Sequence, residues 1–138
     1  MGAVGGRRQI RPVNGVFDAS ALLAVILAEP GSDIAMLHMR GSCVSAINVV
    51  EVIQRMDDHG VAADAVLQQL ARLEIEIIPF EVTQAPSVAE LRAITKHKGV
   101  SLADRVCLAL AKARNMPVFT TDRVWAELGL DIDIRLLR

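Results

Sequence analysis

Aromatic side chains are scarce, at 3% of 138 residues, with one Trp and no Tyr. That excludes a single-strand nucleic-acid platform built on stacked rings. Cysteine is scarce as well. Cys43 and Cys107 are the only two, so no disulfide framework is available; both sit in apolar stretches and read as buried thiols of a cytosolic protein. No apolar run approaches the roughly 20 residues of a membrane-spanning helix; the longest, Ala19 to Ala28, is of helix-core length. Net charge is almost nil, 15 basic against 16 acidic residues giving -1, so any site for a polyanion must be a local patch. Only the opening segment is lopsided. Residues 1–17 hold no acidic group but carry Arg7, Arg8 and Arg11. They lack the apolar centre of a signal peptide, so export is not expected. Residues 1–12 read as a flexible basic tail, or alternatively as a basic arm that touches RNA or a partner.

Apolar residues are plentiful, at 52%. A chain of this length reads as one domain, residues 13–138, able to bury roughly 68–70% of its unfolded surface. Strand-like and helix-like patterns alternate along it. Strands are expected at Val16-Phe17, Cys43-Val44, Ile75 to Ile78, Val118 to Thr120 and Ile132 to Leu136. Helices are expected over 19–28, 33–39, 46–56, 62–73, 87–97 and 102–114, with a short one over 124–128. Such alternation implies an α/β/α domain with a mostly parallel sheet covered on both faces. Val16-Phe17 and Val118-Phe119 are apolar on both faces, as central strands should be. Glu74-Ile75-Glu76-Ile77 and Asp131 to Leu136 alternate polar with apolar, which places them near the edges. A strand order of 3-2-1-4-5 satisfies both constraints. It puts a topological switch point between strands 1 and 4, where open sheets bind ligands beyond their carboxyl ends.

Four of the sixteen acids sit in apolar surroundings. Asp18 directly follows strand 1 and Asp122 follows strand 4. Glu51 lies within Ala46-Ile47-Asn48-Val49-Val50-Glu51-Val52-Ile53, and Asp104 shares a helix face with Cys107 and Leu108. Each has a structural explanation. Asp18 and Asp122 can cap helices, Ser101 to Asp104 has capping-box spacing, and Glu51 can pair with Arg55. Capping, however, gives no reason for four acids to gather at one sheet edge. Two carboxylates about 4 Å apart repel by about 4 kcal/mol at an effective dielectric near 20. Four together need raised pKa values or a cation. All-oxygen ligands select Mg2+ or Mn2+ over zinc. His38, His59 and His97 are scattered and read as surface or satisfied residues. A carboxylate cage around such a cation suits phosphodiester hydrolysis.

The sequence resembles a PIN-domain ribonuclease, specifically a VapC-type toxin of a toxin–antitoxin pair. Phe17-Asp18-Ala19-Ser20-Ala21-Leu22-Leu23-Ala24 with Glu29-Pro30-Gly31 carries the first part of the match. Ser45-Ala46 with Asn48 and Glu51 carries the second, and Ser101-Leu102-Ala103-Asp104-Arg105 with Cys107 to Ala111 the third. Thr120-Thr121-Asp122-Arg123 with Trp125 completes it. The resemblance runs from about Val13 to Leu137; no single motif is specific, but the four in this order are. It implies a PIN-like domain whose Asp18, Glu51, Asp104 and Asp122 form an acidic Mg2+ or Mn2+ site that cuts tRNA, rRNA or mRNA. It also implies a homodimer in the cytoplasm, held inactive by a VapB-type antitoxin that brings the only contact with DNA. Ser20, Asn48, Thr120 and Thr121 stand beside the acids, suited to holding carboxylate rotamers and orienting water; capping is their structural alternative. Arg105, Arg123, Lys96 and Lys98 are candidates for RNA contact, with binding that weakens as salt rises. The N-terminal stretch is longer than the family usual before the first strand.

Other classes fit less well. A phosphatase with a nucleophilic Asp18 wants a second Asp where Ser20 stands. No G-x-G-x-x-G follows a strand, which disfavours a nucleotide-binding module. A PIN-fold toxin that inhibits translation by binding RNA without efficient cleavage keeps every residue above. The helices over 33–39 and 62–73 offer apolar faces for core or partner.

Overall fold

In the computed structural model, which describes residues 11–138, five strands form one sheet. They are Val16–Phe17 (β1), Cys43–Ser45 (β2), Glu76–Ile78 (β3), Val118–Thr120 (β4) and Ile134–Leu136 (β5). All neighbours are parallel and the order is β3-β2-β1-β4-β5, as the hydropathy of the strands predicts. Of the basic tail expected over residues 1–12, residues 1–10 lie outside the described residues. Arg11 and Pro12 are exposed.

Six helices cover the sheet: Ala19–Ile26 (α1), Ser32–Met39 (α2), Ala46–Asp57 (α3), Ala63–Arg72 (α4), Ala85–Thr95 (α5) and Leu102–Arg114 (α6). The two-residue period of the strands divides their side chains between two cores. Phe17, Val44 and Phe119 face one side with residues of α1 to α4. Val16, Cys43 and Val118 face the other with α5, α6 and Trp125. Val16, Phe17 and Val118 are fully buried, so a two-residue β1 suffices to centre the sheet. Gly15 permits that centre: a Cβ there would lie 2.6 Å from the Pro117 carbonyl oxygen and 2.7 Å from the Phe119 ring. No glycine-specific dihedral is involved, only the close approach of β1 to β4.

Several boundaries differ from expectation. The first helix ends at Ile26 rather than Ala28, because Ala28 takes a left-handed φ of 53° ahead of Pro30. The third strand begins at Glu76, after Glu74 turns left-handed at φ 57°. The last strand starts at Ile134 rather than Ile132; its ladder with β4 opens where the Asp133 carbonyl accepts the Val118 N–H at 2.8 Å. The helix expected over 87–97 starts at Ala85, with Pro86 in its first turn, and passes into a 3-10 turn at Lys96–Lys98. The one expected over 124–128 is a 3-10 turn, Arg123–Glu127.

Cys43 and Cys107 are buried and free, and burial pushes both thiols up in pKa. His38 is buried; its Nδ1 accepts the Val13 N–H at 2.9 Å and its ring stacks on Phe119 at 4.7 Å between centroids. Among the described residues, no helix is long and apolar enough to cross a membrane.

Candidate functional site

Asp18 follows β1 in an extended conformation and caps α1, its Oδ1 accepting the Ala21 N–H at 2.8 Å. The same oxygen accepts the Ser20 hydroxyl at 2.7 Å, and Oδ2 accepts the Thr120 hydroxyl at 2.6 Å. Those two hydroxyls then take N–H groups from the chain beyond β4: Ser20 Oγ from Thr121 and Thr120 Oγ1 from Asp122, both at 3.0 Å. One carboxylate thus ties the start of α1 to the end of β4 across the switch point. Three hydrogen bonds favour its ionised form, yet its pKa is raised from 3.8 to about 6. Burial is the main cause, and the negative charge of Asp104 adds a small part.

Glu51 projects from α3. Asn48, one turn earlier and fully buried, donates from Nδ2 to Glu51 Oε1 at 3.0 Å and to the Ala103 carbonyl at 3.1 Å. A single amide therefore connects an acid on α3 with the first turn of α6, beside Asp104. Asn48 Oδ1 is buried without a partner. Burial raises the Glu51 pKa, the Asn48 hydrogen bond opposes the rise, and Asp104 adds to it.

Asp104 does close the capping box read from the sequence. Its Oδ2 accepts the Ser101 N–H at 3.0 Å and the Ser101 hydroxyl accepts the Asp104 N–H at 3.1 Å. Asp122 caps the 3-10 turn, its Oδ1 accepting the Val124 N–H at 3.0 Å. Capping and clustering turn out to be compatible. Each cap uses one oxygen, and all four acids line one cavity of about 440 Å³ at the carboxyl edge of the sheet. The Glu51–Arg55 pair does not form. Among the described residues the ion pairs are Arg40–Glu74, Arg135–Asp133 and Arg138–Glu29, and none involves the four acids.

The other expected site residues are spread more widely. Ser20 and Thr120 bond Asp18 through their hydroxyls, while Thr121 enters the network through its backbone N–H. Arg105 lies over a separate, apolar groove of about 670 Å³, its Nη1 donating to the Val88 carbonyl at 3.2 Å. Arg123, Lys96 and Lys98 are exposed and do not line the acidic cavity. Three residues that the sequence does not mark as site residues do line it: Gln54, Arg55, expected only as a partner of Glu51, and Asp58. They stand three, four and seven positions after Glu51, the spacing of one helix face, so helical phase alone carried the signal.

A family model described as the PIN domain matches residues 15–130. The chain belongs to the PIN domain family. Solved structures agree on the fold. A toxin–antitoxin complex from Klebsiella pneumoniae superposes with a TM-score of 0.73 at 17% identity, covering 91% of this chain and 98% of that one. DNA-bound VapBC from Salmonella typhimurium gives 0.70 at 20% identity, over 91% and 99%. VapBC-5 from Mycobacterium tuberculosis gives 0.57 at 25% identity, over 92% and 99%. Comparison with curated proteins returned no match.

The donor set of this PIN domain fits a hard divalent cation. It is all oxygen, in no ion pair with a basic group among the described residues, and includes carboxyls whose pKa values are raised. Among the described residues, no three His, Cys, Asp or Glu side chains are drawn together as a finished ligand set. Asp104 and Asp122 are turned toward the N–H groups they cap, each with its second oxygen outside those bonds.

Proposed function

We propose that this PIN domain, residues 13–138, is a Mg2+- or Mn2+-dependent endoribonuclease, the toxin of a toxin–antitoxin pair acting in the cytoplasm. One observation carries the reading: Asp18, Glu51, Asp104 and Asp122 come from four separate segments and line one cavity without a basic partner. Repulsion among them is the cost of keeping such a site ready for a cation.

Asp18, Asp104 and Asp122 would hold the cation, with Glu51 completing the site. When bound, Mg2+ or Mn2+ supplies Lewis-acid charge to the scissile phosphate and lowers the pKa of the attacking water. The protein's part is placement. Ser20 and Thr120 fix the Asp18 rotamer through two hydroxyl donors, and Asn48 fixes Glu51 against α6. Glu51, whose pKa is raised, is suited to orient the water and accept its proton. In-line attack on phosphorus breaks the bond to the 3′ oxygen and leaves 5′-phosphate and 3′-hydroxyl ends. The inhibitory partner would be a VapB-type antitoxin and the assembly a homodimer, with DNA reached only through the antitoxin. The VapBC complexes among the structural neighbours support that reading.

The test is cleavage of a mixed RNA pool containing tRNA and rRNA, with Mg2+ or Mn2+ and then with chelator. An Asp104→Asn protein purified identically is the control. Discrete cuts that need metal and vanish in the variant are expected. Equal cutting by both proteins would expose a contaminant. Translation inhibited without any cut would favour a toxin that binds RNA without cleaving it.

A further inference from the structure

We infer that Arg55 anchors the phosphate neighbouring the scissile one, so that the substrate strand runs along α3; this rests on the nuclease reading above. Arg55 is exposed and lines the acidic cavity. It follows Glu51 by four residues, about 6 Å along the helix axis, so it meets the strand beside the reacting centre rather than at it. Among the described residues five carboxylates line that cavity, the fifth being Asp58, and Arg55 is the one cation beside them. An RNA phosphate brought against these carboxylates is repelled, and Arg55 is the lining residue that attracts it.

Helix geometry offers Arg55 two easy partners, Glu51 four residues before and Asp58 three residues after. Neither is taken: Arg55 is in none of the ion pairs formed among the described residues. Exposed pairs of this kind gain only about 0.3–0.5 kcal/mol, so a phosphate can displace them at little cost. A guanidinium also presents a planar fork that fits two phosphate oxygens at once. Arg105, the nearest rival by sequence, is directed to the Val88 carbonyl over a different groove.

The test separates this assignment from the nuclease reading. Binding of a fluorescent single-stranded RNA is followed by anisotropy between 50 and 200 mM salt, in chelator so that nothing is cut. Wild type, Arg55→Ala, Arg55→Lys and Arg105→Ala are compared, with thermal melts confirming that each is folded. Removing one phosphate contact should reduce the slope of log K against log salt by about 0.7, so that the fourfold rise in salt costs Arg55→Ala about 2.6-fold less affinity than it costs wild type. Arg55→Lys should restore most of the slope, and Arg105→Ala should leave it unchanged. In the cleavage assay with metal, Arg55→Ala should raise KM with kcat nearly constant. An unchanged slope in Arg55→Ala, or an equal loss in Arg105→Ala, overturns the assignment even if the wild type cuts RNA. A reduced slope from a protein that never cuts upholds Arg55 as a phosphate contact but overturns the nuclease reading, and with it the place of that contact beside a scissile phosphate. No RNA binding by wild type in chelator together with no cleavage in metal overturns both; where metal restores cleavage, an unchanged KM in Arg55→Ala overturns the assignment.

Discussion

Asp18→Asn should make the metal-free protein more stable at alkaline pH and not at acid pH. Asp18 is 4% exposed, and burial pushes its carboxyl pKa from 3.8 to about 6 despite donors from Thr120, Ser20 and Ala21. A carboxyl that holds its proton more tightly in the folded state lowers stability wherever it is ionised in both states. At pH 8 that cost is about 3 kcal/mol. It is relieved as pH falls through 6. About half remains at pH 5, and almost none below the unfolded value near 4. Asn keeps an oxygen for the Ala21 N–H and caps a helix as well as Asp does. The Thr120 hydroxyl must turn to accept from the new amide, so the net gain at pH 8 is about 1–3 kcal/mol. Urea denaturation in chelator at pH 8 and pH 4 measures both values. Mg2+ should narrow that gap, stabilising wild type by about 1.4 kcal/mol at ten times its Kd and leaving the variant unmoved. A variant less stable than wild type at pH 8 in chelator, or a difference independent of pH, would refute the argument that burial of charge dominates at Asp18.

Asp104→Asn should hold or raise the metal-free melting temperature, because an amide oxygen still accepts the Ser101 N–H, while RNA cleavage is lost. Asp104→Ala should instead cost about 1 kcal/mol through the broken capping box, read by the same melts. Asn48→Ala removes bonds to Glu51 and to the Ala103 carbonyl at a fully buried position. It should destabilise by about 2–3 kcal/mol in urea and weaken Mn2+ binding about tenfold or more by calorimetric titration. Gly15→Ala drives a methyl into the Pro117 carbonyl and the Phe119 ring and should cost about 1–3 kcal/mol, visible as a lower urea midpoint with unchanged m.

Hydropathy at single strands was enough to read the sheet. Val16-Phe17 and Val118-Phe119 have no polar face to show solvent, which marks them as central, and the order β3-β2-β1-β4-β5 satisfies that constraint. The positions of Asp18 and Asp122 after those strands likewise placed both at the switch point, because connectivity alone puts a residue following a parallel strand at the carboxyl edge. Sequence also suggested two roles for Asp104, cap or cluster, without deciding between them. Tertiary structure resolves the choice by satisfying both: the carboxylate has two oxygens, and its capping bond uses one. Strand ends were less legible. Where β5 begins depends on where the Val118 N–H of the partner strand meets it, at the Asp133 carbonyl, which the residues of β5 alone do not show.

The cations divide along the same line. Arg105 and Arg123 each follow an acid of the site in the chain. Successive residues on a helix point about 100° apart, so adjacency to Asp104 carries Arg105 to another groove. Arg55 and Asp58 reach the acidic cavity because they share a helix face with Glu51, and only the packing of α3 against α1 and α6 turns that face toward the carboxyl edge. Residue type and order along the chain determined which acids exist and which strand each one follows. The rotation of each helix about its own axis, set by the cores on either side of the sheet, decided which side chains meet them.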